Sequence, residues 1–397
     1  MRFVEAALGL CALIWVVGAA GGAEDLATLR YLARLGDVVD VSGLSPSEAA
    51  QAIAPFAPVG ITCFVDRLLR WTAEVGEALD LDFHTPATAD RLTDKLAQRT
   101  ALREHGLPTP SFWDVDGLAD DPSPADTVGN AFPLVLKPRR GTSSQDTERI
   151  DDGDRLRDAV AASEPGRMLL EGFIPDPTTP QTGEGSAPYV SVELLVSHGV
   201  IHVLGITGRT PLAPPFRETG FLFPADVEAG TAAELTAAAI QAARAVGVEN
   251  GALHIELKCT DDGPVVIEIN GRPGGAGVHM LLRRALEVDT VQLSMRTAVG
   301  ERIDVLDLPV PSQVVFRLDV QPDAALRRIT SVDGLAKVLE LPGVEQVIPG
   351  VGPGDEISWR AGTLGFAAAV IGAAPDHRAV SRIRDEVLHL VVVSGTA

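Results

Sequence analysis

The chain of 397 residues is poor in cysteine: Cys11, Cys63 and Cys259 stand far apart and form no C-x-x-C pair. That excludes a disulfide framework or a cysteine-ligated zinc site as the organising feature, and it suits a reducing cytoplasm. Positive charge is also short, with 33 Lys+Arg against 54 Asp+Glu and a formal net charge of −21. Such a surface repels polyanions and argues against nucleic acid as a partner, while leaving room for a local basic pocket around a small phosphate ligand. No G-x-x-x-x-G-K-[ST] loop occurs. Gly350-Val-Gly-Pro-Gly354 is not G-x-G-x-x-G, and its proline makes it a turn. Neither an internal repeat nor a low-complexity tract is present.

What is present is an ordinary globular composition, 46% hydrophobic and 22% charged. The length allows about two to four domains. Ala6 to Ala20 is almost wholly apolar, but at about 15 residues it falls short of the roughly 20 that a spanning helix needs. No membrane partner is therefore expected. A secretory signal reads much like this stretch. Glu5 at its front edge, with only Arg2 as a preceding cation, favours a core reading instead: a buried helix Phe3–Leu10, then a buried strand Cys11–Val17.

Downstream, helical spacing over Glu24–Leu35, Ser45–Ala54 and Asp66–Leu79 alternates with apolar strands at Asp37–Val41 and Val59–Val65. Alternation of this kind predicts a doubly wound α/β unit with a parallel sheet over about residues 1–90. Such a unit ordinarily opens on a strand, whereas here a helix comes first. Ala89–Glu104 reads as one helix holding Asp94, Lys95 and Arg99, stopped by Gly106 and the prolines beyond. Strands are expected at Phe132–Pro138 and Arg167–Ile174, with a flexible Gly/Ser/Thr loop after the first. Two hairpins follow, Tyr189–Val196 with Val200–Thr207 and Ala252–Cys259 with Pro264–Ile269. The rest, from Glu301, mixes strands, turns and a helix at Asp376–Leu388.

The densest chemistry is in His254-Ile-Glu-Leu-Lys258 and Val266-Ile-Glu-Ile-Asn270-Gly-Arg272. Side chains alternate along strands, so Glu268 and Asn270 share a face and Glu256 can lie across from them. Two carboxylates and an amide oxygen form a hard oxygen site suited to Mg2+ (or Mn2+) with phosphate oxygens completing the shell. Arg272 continues that face as a clamp for a carboxylate or a phosphoryl group. An exposed hairpin with solvated charges is the plainer reading, yet all four residues interrupt apolar strands. Lys137 ends an apolar strand before Gly141-Thr-Ser-Ser144, a loop whose backbone N–H groups can approach phosphate. Lys95 alone reads as a solvated helix charge. The small residues Gly274-Gly-Ala-Gly277 predict a roomy pocket after Arg272.

Taken in order, these pieces resemble the ATP-grasp superfamily: Asp94-Lys95 with Arg99, Phe132-Pro-Leu-Val-Leu-Lys137, Gly141–Ser144, Leu170-Glu171-Gly-Phe-Ile174, Val192-Glu193, Glu256, and Glu268-Ile-Asn270-Gly-Arg272. The resemblance covers about residues 90–300. Phe216–Pro224, Arg272–His279 and the flanking regions look like the carboxylate–amine ligase branch that includes L-amino-acid ligases. It implies an N-terminal doubly wound unit (1–90), a small lid subdomain (91–165), a large subdomain (166–300), and a C-terminal α+β subdomain (301–397). The fold class is then α/β, with α+β character in the central part.

The resemblance also implies roles. Lys95 and Lys137 would contact the ATP phosphates, with Lys137 also near the adenine. Gly141, Thr142, Ser143 and Ser144 would form the lid loop. Glu171, Gly172, Phe173 and Ile174 would be the adenine hinge, recognised largely through backbone groups. Glu256, Glu268 and Asn270 would hold one or two Mg2+ ions, and Arg272 would orient the substrate carboxylate and stabilise an acyl phosphate. Tyr189 stands where many relatives place a ribose-binding carboxylate, and Glu193 is the candidate further along. His254 and His279 are optional players. The expected activity is amide formation between an amino acid, or another carboxylic acid, and an amine, in the cytoplasm. A homodimer is left open. The alternatives are an ATP-dependent carboxylase like biotin carboxylase, whose lid usually carries a longer glycine run, and a non-catalytic nucleotide sensor.

Overall fold

The protein is described from a computed structural model covering residues 2–18, 23–121 and 123–397. Residues 19–22, the tail of the N-terminal apolar run and of its signal-like small residues, lie outside the described residues. The chain opens with α1 (Arg2–Ala7), β1 (Ile14–Val17), α2 (Ala23–Leu32), β2 (Asp37–Asp40), α3 (Pro46–Ile53) and α4 (Asp66–Ala78). β1 and β2 pair in parallel, Ile14 against Asp37. Ser45 and Glu48 cap α3 reciprocally, which fixes where that helix starts.

Two expectations need correction here. β1 is short and only half-buried, with Val16 exposed, and among the described residues β2 is its one neighbour. Residues 59–65 form no strand. Gly60 abuts the Ala298 carbonyl, and Phe64 packs with Ala6, Ala7, Val291 and Met295. Ile61, Cys63 and Phe64 are half-buried against three different clusters while Val59 and Val65 stay exposed, so the segment is held by its side chains and not by a strand ladder. Among the described residues the N-terminal parallel sheet therefore has two strands.

Next come α5 (Pro86–Thr93), α6 (Lys95–Glu104), β3 (Phe112–Asp114), α7 (Val115–Ala119), α8 (Pro124–Val128), β4 (Leu134–Pro138), β5 (Glu148–Ile150), α9 (Gly153–Ala161) and β6 (Met168–Gly172). The strands make an antiparallel sheet in the order β3-β6-β4-β5. The single helix expected over Ala89–Glu104 is broken at Asp94. That residue is extended (φ −112°, ψ 110°), and its side chain accepts from Leu96 N at 3.0 Å. Asp94 thus ends one helix and caps the next, placing Lys95 at the start of α6.

The remainder holds β7 (Tyr189–Ser197), β8 (Val200–Arg209), β9 (Gly220–Phe223), α10 (Ala229–Val246), β10 (Gly251–Lys258), β11 (Val265–Asn270), α11 (Val278–Leu286), α12 (Thr290–Ala298), β12 (Val314–Val320), β13 (Arg328–Asp333), α13 (Leu335–Val338), β14 (Val344–Pro349), β15 (Ala368–Ala374), α14 (His377–Leu390) and β16 (Val392–Thr396). Eight of these strands form an antiparallel sheet ordered β11-β10-β7-β8-β9-β12-β15-β14. Its first hairpin turns at His198 and Gly199, both left-handed, as a tight two-residue turn demands.

Every residue of β7 is buried because helices cover both faces. α10 lays Leu235, Ala239 and Ala242 over Val190, Val192 and Leu194. On the other face, Leu281 and Leu282 of α11 and Leu293 of α12 meet Leu195, Phe221 and Val315. At about 1.5–3 kcal/mol for each large apolar side chain withdrawn from water, this two-sided core gives β10 and β11 a rigid base. Among the described residues no helix is long and apolar enough to cross a membrane.

Candidate active site

The four-stranded sheet and the eight-stranded sheet enclose a cavity of about 640 Å3. On one side β4 brings Lys137, and β6 brings Glu171 followed by Gly172, Phe173 and Ile174. Lys137 Nζ lies 2.7 Å from Glu171 Oε2, and Arg99 Nε lies 2.8 Å from Oε1, out of line for a hydrogen bond. Arg99 is fully buried and also donates to Ile267 O at 2.5 Å. Burial alone would raise the Glu171 carboxyl, but Arg99 and Lys137 hold it below the ordinary range. Burial likewise presses the Lys137 ammonium down, opposed mainly by Glu171. The expected hinge residue Glu171 therefore acts through its side chain as the anion between two buried cations.

Gly141, Thr142, Ser143 and Ser144 line the same cavity. Lys95 joins this loop to the other wall, donating from Nζ to Gly141 O at 3.0 Å and lying 2.9 Å from Glu268 Oε1. Glu268 stands directly opposite Glu256 in the β10–β11 register, beside a bulge. Both carboxylates line the cavity.

A second cavity of about 690 Å3 begins on the far side of Glu268. Asn270, Arg272, Gly274 and Gly275 line it from the large sheet, and Phe3, Phe64, Asp66 and Arg67 from the N-terminal elements. Glu268 and the loop residues Gly141–Ser143 border both cavities. Of the three expected oxygen donors, Glu256 and Glu268 share the first cavity, and Asn270 faces the second on the same side of β11. Arg272 does not lie free: its Nε and Nη2 reach Asp66 Oδ2 at 2.8 and 2.6 Å.

Glu193 requires a correction. It does not line the first cavity. It lies beside β10, where His254 Nδ1 approaches both of its oxygens at 2.9 Å and Ser191 Oγ and Thr207 Oγ1 donate at 2.6 and 3.1 Å. Glu193 shares a face of β7 with Tyr189, which does line the cavity, but it lies four residues further along the strand, against its register partner His254 and out of the cavity. His254 in turn reaches Glu256 Oε1 from Nε2 at 3.3 Å. Burial opposes charge on this imidazole, but Glu193 and Glu256 prevail and lift its pKa to about 9. Burial would raise Glu256, yet His254 and Arg209 bring it down to about 2. The buried imidazolium so keeps Glu256 ionised.

Sequence patterning does not single out Arg209, Glu218 or Asp66 as site residues. Arg209 is fully buried at the end of β8 and pairs with Glu218 at 3.0 Å. Tyr189 shares their wall, its phenol pushed well above the usual range chiefly by burial. A charged residue ending an apolar strand was the available signal for Arg209. Asp66 offered none, since its partner is 206 positions away. The glycines after Arg272 do line the second cavity, but Gly274 is there for close approach: a Cβ on it would meet Val278 Cγ1 at 2.7 Å and His254 Nδ1 at 2.8 Å.

Residues 185–280 match the model of the ATP-grasp domain family. An uncharacterized protein of Sinorhizobium fredii is 27% identical over 90% of this chain and 69% of its own length. The D-alanine–D-alanine ligase of Ralstonia pickettii is 29% identical over 62% of this chain and 75% of its own. The crystal structure of an L-amino acid ligase from Bacillus licheniformis superposes with a TM-score of 0.76 at 22% identity, covering 100% of this chain and 96% of that one. Residues 185–280 thus match an ATP-grasp domain, and the chain as a whole is similar to carboxylate–amine ligases built on that fold.

Proposed function

We propose that this protein joins a carboxylic acid, most simply an amino acid, to an amine at the expense of ATP, through an acyl phosphate. The observation that carries the reading is Glu268 on the border of two cavities. One holds buried cations and a loop of small polar residues, and the other holds Arg272. ATP in the first cavity would place its base near Glu171–Ile174 and its phosphates along Lys137, Lys95 and the Gly141–Ser144 loop. An acid in the second would present its carboxylate to Arg272.

The donor set fits a divalent cation. Two carboxylates in register, with an amide oxygen two residues along, are hard ligands for Mg2+ or Mn2+. Glu256, Glu268 and Asn270 would hold it, and its chemistry there is to neutralise crowded phosphate oxygens. In this reading a carboxylate oxygen attacks the terminal phosphorus, the bond to the bridging oxygen breaks, and ADP leaves. The amine then attacks the acyl carbon, its C–O bond breaks, phosphate departs with the electron pair, and the amine proton passes to phosphate or solvent. Lys95 and Lys137 steady the transferring charge, and Arg272 holds the acid in line. Closure of the cavity over bound substrates would keep water from the acyl phosphate. The need for ATP supports a cytoplasmic setting. The amino-acid substrates of the similar ligases support amino acids here.

An ADP-release screen of amino-acid pairs with Mg-ATP, followed by mass spectrometry, tests the reading. ADP release with a matching amide supports it. Release without any amide points to a carboxylase or to idle hydrolysis. No release from any pair, with ATP affinity unaffected by Glu268→Ala, would favour a nucleotide sensor.

A further inference from the structure

A segment far from the cavities in sequence, the 3-10 turn Trp359–Gly365, grips the loop that borders them both. Thr363 N donates to Ser143 O at 2.9 Å, and Asp146 N donates to Arg360 O at 3.1 Å. The Arg360 guanidinium adds contacts to Asp146 at 3.5 Å and Glu148 at 3.8 Å. Between them Gly362, at φ +64°, presses so close that a Cβ would fall 2.0 Å from Ser143 O.

The loop is strained on its own account. Ser143, Ser144 and Asp146 all take left-handed φ values, of 59°, 55° and 49°. Non-glycine residues keep such angles only where surrounding contacts over-determine them. The loop's internal bonds, Gln145 N to Thr142 O and Thr147 N to Ser144 O, are both long at 3.3 Å. The shorter bonds come from outside. Thr363 also accepts at Oγ1 from Glu218 N at 3.1 Å, while Gln321 Nε2 donates to Glu218 O and Thr363 O at 2.9 and 3.1 Å. One buried threonine therefore ties the loop to the wall that carries Glu218 and Arg209.

We propose that Trp359–Gly365 is a latch. It holds the Gly141–Asp146 loop shut across the first cavity, with Gly362 and Thr363 as positioning residues, so that a nucleotide enters and leaves only when this contact parts. The last clause rests on the nucleotide reading of that cavity. The closed loop stores strain that the latch restrains, and parting the latch lets the loop relax outward.

Gly362→Ala in the full chain is the direct test, since its methyl group must push against Ser143 O. Trypsin cuts after Arg139 and Arg140 at the foot of the loop, so cleavage there, followed by mass spectrometry, reports opening. The variant is expected to be cut several-fold faster than wild type at the loop, with melting temperature nearly kept, and to release a fluorescent ADP analogue with Mg2+ several-fold faster. Unchanged cleavage in a folded Gly362→Ala protein overturns the latch. Should that variant not fold, hydrogen exchange of the wild type decides. Peptides covering 139–148 and 358–366 should gain protection together when Mg-ADP is added, and protection of the loop without the latch segment overturns the proposal. A wild type that binds no Mg-ADP sinks the nucleotide reading instead, and leaves the latch to stand or fall on the cleavage result.

Discussion

Asp66 and Arg272 meet side-on across 206 residues of chain, Arg272 Nε lying 3.0 and 2.8 Å from the two carboxylate oxygens of Asp66. Nη1 donates to Pro273 O at 3.1 Å. N–H groups on both Nη atoms remain for another anion, facing the second cavity. Asp66 thus aims Arg272 and fastens the start of α4 to the large sheet.

Asp66→Asn keeps the size of that partner and removes its charge. The loss is expected to cost about 1.5–3 kcal/mol in urea denaturation, the range for a hydrogen bond to a charged group. With a substrate pair in hand, the KM of the acid should rise well above that of wild type while the KM of ATP stays. An unchanged KM for the acid would show that Arg272 needs no such aiming.

Glu171→Gln should unsettle the protein more than its size suggests. It leaves Arg99 and Lys137, both buried, without their shared anion. Removing one partner of a buried ion pair costs about 3–5 kcal/mol, and chemical denaturation should show a loss of that order. A loss below about 1 kcal/mol would mean that water reaches these cations.

His84 should shape the acid limb of stability. It is buried against the turn at Gly271, and desolvation lowers its pKa from 6.5 to about 4 despite a bond to the Gly271 backbone. The folded state thus favours the neutral ring. Its contribution is complete above pH 6.5 and is lost as pH falls toward 4, by up to roughly 3 kcal/mol. His84→Gln should flatten denaturation midpoints across that window. An equal slope in wild type and variant would assign the acid sensitivity elsewhere.

Gly274→Ala and Gly275→Ala make a matched pair. The first methyl would meet Val278 and His254 below 3 Å, whereas the second finds only Arg272 Nη1 at 3.5 Å. Overpacking should cost the first about 1–3 kcal/mol and the second far less. Thermal melts of both proteins read the difference, and equal melting temperatures would remove the case for tight packing on His254.

How much was legible beforehand varied with the distance between interacting residues. The hairpin that sets Glu256 opposite Glu268 follows from alternation, a tight Asp-Asp-Gly turn, and charges set in apolar strands. Lys137 at the end of a strand before a Gly/Ser/Thr loop was readable in the same way. Asp94 as a break between two helices was not, because a helical pattern on either side hides one extended residue whose side chain caps the next turn. Segment 59–65 carried a strand's composition, yet it is held by its side chains in three different clusters and not by a strand ladder. Glu193 obeyed strand alternation and shares its face of β7 with Tyr189, but how far along that face the first cavity extends depended on how the sheets stacked.

Local chemistry in the chain therefore determined the antiparallel hairpins, the oxygen donors on β10 and β11, and the lysine and glycine-serine elements that resemble ATP-grasp proteins. Periodicity and turn preference act over a few residues and need no distant partner. Only the tertiary structure decided that Glu171 sits between Arg99 and Lys137, that Asp66 takes hold of Arg272, and that Thr363 reaches Ser143. Each of those pairings is an ionic or hydrogen-bonded contact between segments far apart in the chain. Its strength comes from shared burial, which exists only once the sheets have packed.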